Sequence, residues 1–342
     1  MSTELASTAR ALVASGKGIL AADETPGTLT RRLEALKIES TPDSRRAYRE
    51  MFFTTPGIAE FISGVIMQDE TIRQKSSKGT ALADLLAQQG IIPGIKVDNG
   101  AKLLAGSPGE NITEGLDGLR ERLKEYHEIG ARFAKWRAVI AVSESLPSAT
   151  CVNVNAHALA RYAVLCQEQD VVPIVEPEVL MDGSHAIERC EEVTGQVLHA
   201  VFGALFDQKV SLEGMLLKPN MIISGMKCAR QASVEEVALA TVRCLSRHVP
   251  AAVPGIVFLS GGQSHVAATA HLSAINRLDA PKPWKLSFSY GRALQDEALK
   301  AWLGKNENLP RAQEVFYHRA KCDSAAALGK YTEDMEGQPA AA

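Results

Sequence analysis

Eight short apolar runs alternate with amphipathic helical stretches along 342 residues, and this pattern predicts an α/β protein with a parallel eight-stranded closed sheet, the (β/α)8 or TIM barrel. Two further observations support it. Successive runs lie roughly thirty to forty-five residues apart, the length of one strand, one helix and their loops. The first run is followed by Asp23-Glu24-Thr25-Pro26-Gly27 rather than a glycine-rich dinucleotide fingerprint, which argues against an open, doubly wound sheet.

The elements follow in order. Leu5, Ala9, Leu12 and Val13 share one face of a short N-terminal helix, and residues 18–23 (GILAAD) read as strand one. Thr41-Pro42-Asp43-Ser44 is an N-cap with proline at the first helical position, entering a helix over 45–53. Strands two and three are 64–68 and 94–98; Leu116, Leu119, Leu123 and Tyr126 then continue one helical face ahead of strand four at 132–139. A helix over 156–169 precedes strand five at 171–178, and a long amphipathic segment, 184–206, precedes strand six at 214–221. Ser233-Val234-Glu235-Glu236 is a capping box opening a helix to Leu245. Strand seven at 255–262, a helix over 265–275, strand eight at 285–291 and helices over 296–303 and 310–328 complete the set. No linker divides residues 1–331, expected as one barrel domain, and 332–342 read as a flexible C-terminal tail.

A net charge of −3 argues against general nucleic-acid binding or attachment to an anionic membrane, so any basic site must be local. No apolar run reaches the ~18 residues that a membrane span needs. The N-terminus lacks a secretory pattern, and six scattered cysteines without a C-x-x-C read as reduced thiols, so a cytoplasmic protein is expected. The histidines show no metal-ligand spacing, and no metal is expected.

Residues 214–221 (GMLLKPNM) set Lys218 at the end of an apolar strand. Alone, this reads as a lysine reaching for solvent. In an apolar setting beside cations, however, its amine could lose its proton and become a nucleophile; lowering a lysine pKa from ~10.4 to ~7 corresponds to about 4.6 kcal/mol. Side chains two apart share a strand face, which pairs Lys135 with Arg137 and Glu176 with Glu178. With Lys96 inside strand three and Asp23 closing strand one, charged groups converge on one barrel mouth, where active sites of this fold lie. Lys135 beside Lys218, with Glu176 nearby, suits imine chemistry. The bland alternative is a set of structural ion pairs at the rim.

Strands seven and eight end differently. Ser260-Gly261-Gly262 and Tyr290-Gly291-Arg292 offer backbone N–H groups and a guanidinium, where this barrel usually binds phosphate. Arg32 with Lys96 could take a second phosphate, although Arg31 and Arg32 are expected on a solvated helix.

Seven motifs, namely 18–24 (GILAADE), 94–98 (GIKVD), 134–137 (AKWR), 173–178 (PIVEPE), 217–221 (LKPNM), 259–264 (LSGGQS) and 289–295 (SYGRALQ), together resemble the class I fructose-bisphosphate aldolases over nearly the whole chain. The resemblance implies reversible cleavage of fructose 1,6-bisphosphate to dihydroxyacetone phosphate and glyceraldehyde 3-phosphate, without a metal or other cofactor, in a homotetramer. It implies that Lys218 forms the Schiff base. It also implies that Glu176 is the acid–base group, supported by Lys135 and Glu178, and that Asp23 handles the C4 hydroxyl proton. Ser260, Gly261, Gly262, Gly291 and Arg292 resemble the C1-phosphate site. Lys96, Arg32, Thr25 and Thr28 resemble the C6-phosphate side, and Arg137 is grouped with these substrate-binding residues.

Three positions depart from the family pattern. The sequence closes with Ala340-Ala341-Ala342 where the vertebrate type has a catalytic tyrosine, Thr25-Pro26-Gly27 replaces a serine-containing loop, and Asn99 replaces a lysine. The first bears on enamine protonation and the others on the C6-phosphate end. A transaldolase-like or deoxyribose-phosphate aldolase-like enzyme and a scaffold protein on an aldolase fold are the alternatives. Preference for fructose 1,6-bisphosphate over fructose 1-phosphate, and use in glycolysis or gluconeogenesis, stay open.

Overall fold

The computed structural model describes residues 3–337. Its eight barrel strands are β1 (Gly18–Ala21), β2 (Ile62–Met67), β3 (Ile92–Lys96), β4 (Phe133–Ile140), β5 (Val172–Val179), β6 (Leu216–Leu217), β7 (Gly255–Phe258) and β8 (Lys285–Tyr290). Each strand pairs in parallel with its neighbours in sequence, and β1 closes the ring on β8 through Ile19 opposite Ser289 and Leu20 opposite Tyr290. The strands are almost continuously buried, as a sheet packed on both faces requires.

Two apolar clusters hold this ring. The larger lies between strands and outer helices. The smaller fills the barrel: Phe133, Ile66, Ile174 and Leu216 meet Leu5, Ala9, Leu12 and Val13 of the N-terminal segment. The amphipathic face of helix Thr3–Leu12 therefore plugs the end of the barrel where the strands begin, leaving the opposite end for a site. Glycines on the strands admit this plug. A Cβ at Gly94 would run into the Phe133 ring, and one at Gly64 would meet Leu12 and Phe133.

The local signals act as their chemistry dictates. Thr41 and Ser44 form a capping box with Pro42 at the first turn of helix Pro42–Phe53, and Ser233 with Glu236 does the same for Val234–His248. Strand six is shorter than expected. Residues up to Gly214 lie in a 3-10 turn, and Pro219 brings no N–H to continue a ladder. The chain still tracks its neighbours, with Lys218 N–H donating to Val175 O at 2.8 Å and Leu259 N–H to Pro219 O at 3.1 Å. A two-stranded ribbon, Ala101–Leu103 with Asn111–Thr113, sits after β3 and was not expected, because three-residue strands carry too few alternations to read.

The tail differs from its expectation. Glu333–Gly337 form a 3-10 turn; Arg319 Nη1 donates to both Glu336 carboxylate oxygens at 2.8 Å, and Tyr331 Oη donates to Oε1 at 2.7 Å. Nothing in the local sequence marks Glu336 as the partner of a distant arginine. The rest of that segment, 338–342, lies outside the described residues.

Gly94→Ala is expected to destabilise the protein by about 1–3 kcal/mol, because the methyl group overpacks the barrel against Phe133. Urea denaturation checks this through the transition midpoint at constant slope.

Candidate active site

A cavity of about 480 Å³ opens where the strands end. Its wall includes Asp23, Lys96, Lys135, Glu176, Glu178 and Lys218, and also Thr25, Thr28, Arg32, Arg137, Ser260, Gly261, Gly291 and Arg292. Of the residues expected at a site, only Gly262 stands just off this wall.

Four alternating charges cross the floor. Asp23 Oδ2 accepts from Lys135 Nζ at 2.7 Å, Lys135 Nζ lies 3.1 Å from Glu176 Oε2, and Glu176 Oε1 lies 3.2 Å from Lys218 Nζ. Lys135, Glu176 and Lys218 are nearly excluded from solvent, and Asp23 is mostly buried. The Glu176 contacts are close but poorly aligned, and its Oε2 is buried without a hydrogen-bond donor among the described residues. A buried carboxylate oxygen left this way is costly, and it offers an acceptor to a hydroxyl entering the cavity.

The two lysines are driven apart. Burial pulls Lys218 below the ordinary lysine value; Lys135 adds to this, while Glu176 and Asp23 oppose it. Burial also acts against the Lys135 ammonium, but Asp23, Glu176 and Asp98 outweigh it and hold that lysine well above its ordinary value. Burial likewise pushes Asp23 up, yet Lys135, Lys218 and Lys96 together keep it far below the usual carboxylate range. One lysine is thus a persistent cation, while its neighbour is the more readily deprotonated. Such divergence between adjacent groups is how a site assigns acid, base and nucleophile.

The last two strands supply anion-binding geometry. Gly261 has φ +57°, and any side chain there would collide with Met181. The N–H groups of Gly261 and Gly262 meet no backbone acceptor among the described residues, so both remain available to an anion. Gly291 precedes the eleven-residue helix Arg292–Trp302, whose N-terminus opens on the cavity, and Arg292 makes no ion pair among the described residues.

The opposite wall departs from expectation. Arg32 was expected on a solvated helix face, yet its guanidinium is mostly buried, paired with Glu24, donating to Asp296 at 2.8 Å and to Gln295 at 2.8 Å. Its partners come from segments distant in sequence, which explains why the reading missed them. Lys96 Nζ donates to Asp98 Oδ1 at 2.5 Å and to Asp98 O at 2.6 Å. Thr25 Oγ1 caps helix Pro26–Ala35 by accepting from Thr28 N–H at 3.3 Å. Glu178 pairs with Arg137, so its contact is with that cation, not with Glu176.

Two residues of the site were not singled out beforehand. Asp98 also accepts from Gly100 N–H at 3.0 Å and orients Lys96; its i, i+2 spacing from Lys96 was a legible signal. Ser289 faces the cavity with a buried Oγ that has no partner among the described residues. Ser287 and Ser289, two residues apart on one face of a strand, are the signal that could have found it.

A family model described as fructose-bisphosphate aldolase class-I matches residues 4–342. A Xanthomonas campestris protein named probable fructose-bisphosphate aldolase class 1 is 58% identical over 96% of this chain and 98% of its own. The cytosolic fructose-bisphosphate aldolase 6 of Arabidopsis thaliana is 54% identical over 97% of this chain and 93% of its own. A crystal structure of Plasmodium falciparum fructose-bisphosphate aldolase, in complex with TRAP and an inhibitor, superposes with a TM-score of 0.95 at 50% identity, covering 96% of this chain and 95% of that one.

Deprotonated Lys218 should react with cyanate with a pH midpoint below the ~10.4 of an exposed lysine. In Lys135→Met, which removes the neighbouring cation and leaves the carboxylates of Glu176 and Asp23, that midpoint should move to higher pH. Peptide mass mapping of carbamylation against pH reads both midpoints; no movement in the variant contradicts the electrostatic coupling.

Proposed function

The chain belongs to the class I fructose-bisphosphate aldolase family, and on that premise we propose which of its residues carry out the reaction. The enzyme is a metal-independent aldehyde-lyase that cleaves fructose 1,6-bisphosphate reversibly to dihydroxyacetone phosphate and glyceraldehyde 3-phosphate through a lysine Schiff base, a step of glycolysis. The observation that carries the residue assignment is one buried carboxylate, Glu176, 3.1 Å from Lys135 Nζ and 3.2 Å from Lys218 Nζ.

In this reading the neutral amine of Lys218 attacks the substrate ketone carbon. Glu176, having taken the proton that Lys218 gives up on becoming neutral, passes it to the departing hydroxyl group as the carbinolamine loses water. Lys135, kept cationic, lowers the pKa of Lys218 and holds Glu176 and Asp23 in place. Asp23 takes the C4 hydroxyl proton as the C3–C4 bond breaks. The bonding electrons flow into the imine and leave an enamine, so a poor carbanion becomes a stabilised one. Glu178 acts through Arg137 rather than on the imine. The C1 phosphate sits against Ser260, Gly261, Gly262, Gly291 and Arg292, and the C6 phosphate faces Lys96, Arg32, Thr25 and Thr28. The single barrel domain spans 1–331.

The same reading makes the enzyme a cytoplasmic homotetramer; its compartment is supported by the cytosolic naming of the Arabidopsis relatives. Among the described residues, no helix is long and apolar enough to cross a membrane.

Borohydride reduction with dihydroxyacetone phosphate in EDTA should leave one adduct, on Lys218, and Lys218→Met should lose both adduct and turnover. An adduct on another lysine would overturn the assignment. Arg292→Ala should raise KM for fructose 1,6-bisphosphate roughly 10- to 100-fold, the loss of charge-assisted hydrogen bonds worth about 1.5–3 kcal/mol, with a smaller change in kcat. Steady-state kinetics with an unchanged KM would remove Arg292 from the phosphate site.

A further inference from the structure

Gln295 lies on helix Arg292–Trp302, three residues after Arg292, and is fully buried. Both ends of its amide are used. Nε2 donates to Ala21 O at 2.9 Å, and Oε1 accepts from Arg32 Nη1 at 2.8 Å and from Tyr48 Oη at 3.2 Å. Ala21 is the last residue of β1, two residues before Asp23. One neutral side chain therefore joins three parts of the cavity wall: the strand end that carries Asp23, the guanidinium of Arg32, and the helix whose first residue is Arg292.

The chemistry at this position suits an amide. A carboxylate would still accept from Arg32 and Tyr48, but it would set an anionic oxygen against the Ala21 carbonyl. A hydrocarbon of the same length would leave the Ala21 carbonyl, the Tyr48 hydroxyl and one Arg32 N–H without their partner, each at the cost of a buried unsatisfied group. Arg32 would keep its carboxylate partners Asp296 and Glu24. Gln295 is thus the one neutral side-chain acceptor of this guanidinium among the described residues, and it shares Nη1 with Glu24.

We propose that Gln295 is a positioning residue for the aldol step. It aims Arg32 at the phosphate on the aldehyde half of the substrate, so selecting a bisphosphate over a monophosphate, and it holds the end of β1 so that Asp23 meets the C4 hydroxyl. The proposal rests on the roles given above to Asp23 and Arg32. It assigns nothing to the ketone half, whose imine and phosphate are served by other residues.

The test uses the full chain with Gln295→Met, which removes both amide functions, and Gln295→Glu, which keeps the acceptor and loses the donor. Each is assayed for kcat and KM with fructose 1,6-bisphosphate and fructose 1-phosphate, and for borohydride trapping of dihydroxyacetone phosphate. In Gln295→Met, the ratio of kcat/KM for bisphosphate over monophosphate should fall at least tenfold, while trapping on Lys218 stays within twofold of the unaltered protein. In Gln295→Glu the ratio should be kept, because Arg32 retains its acceptor, but kcat should fall at least tenfold for both substrates through the loosened strand end. An unchanged ratio in Gln295→Met, or a parallel loss of trapping and of both activities, overturns the proposal. If Gln295→Met is not recovered folded, Gln295→Glu decides alone, and an unchanged kcat there is the contrary result. Failure of the unaltered protein to trap on Lys218 would instead strike the lysine assignment itself.

Discussion

Glu176 sits between two buried lysines, and the rest of the structure serves that arrangement. A carboxylate flanked by two ammonium groups in a nearly dry site cannot treat both alike. Asp23 and Asp98 reinforce the charge of Lys135, whereas Lys218 faces burial and a neighbouring cation with less compensation. The consequence is one fixed cation and one amine that gives up its proton more readily, about 3 Å on either side of the same carboxylate. Neither lysine alone would carry this property; it belongs to the row of four charges.

Such a row needs a frame that does not relax. The barrel supplies it by closing β1 on β8 and by filling its other end with the N-terminal helix, so the strand ends are held by apolar packing on both faces. Lys135 and Glu176 stand on long strands that pair over eight registered positions. Lys218 stands where β6 gives out, at a proline, with its backbone still tied to Val175. Lys218 therefore occupies the least regular point of the ring, although its main chain is anchored.

Much of this was legible in the sequence, for physical reasons. Buried parallel strands must be apolar, so Lys96, Lys135, Glu176 and Lys218 stood out as residues a merely structural strand would not keep. Glycine next to glycine at Ser260-Gly261-Gly262 marked backbone that an anion could approach. N-cap signals at Thr41 and Ser233 marked where two helices begin. What stayed hidden depended on partners far apart in the chain. Arg32 looked like one more solvated arginine because Gln295 and Asp296 lie more than 260 positions away. Strand alternation set Glu178 on the same face as Glu176, but it did not show that Arg137, on the neighbouring strand, is the cation it pairs with. Glu336 looked like tail for the same reason. Periodicity shows which face a side chain occupies, but not which opposite charge will reach it.

The central claim is that the two lysines beside Glu176 titrate apart, Lys218 at lower pH than Lys135. NMR of protein labelled with 15N at lysine Nζ, followed across pH and assigned with Lys218→Met and Lys135→Met, measures this directly. The account predicts that Lys218 titrates at a pH below that of surface lysines, while Lys135 remains an ammonium throughout the same range. Lys135 losing its proton first, or both lysines titrating together with the surface set, would contradict it.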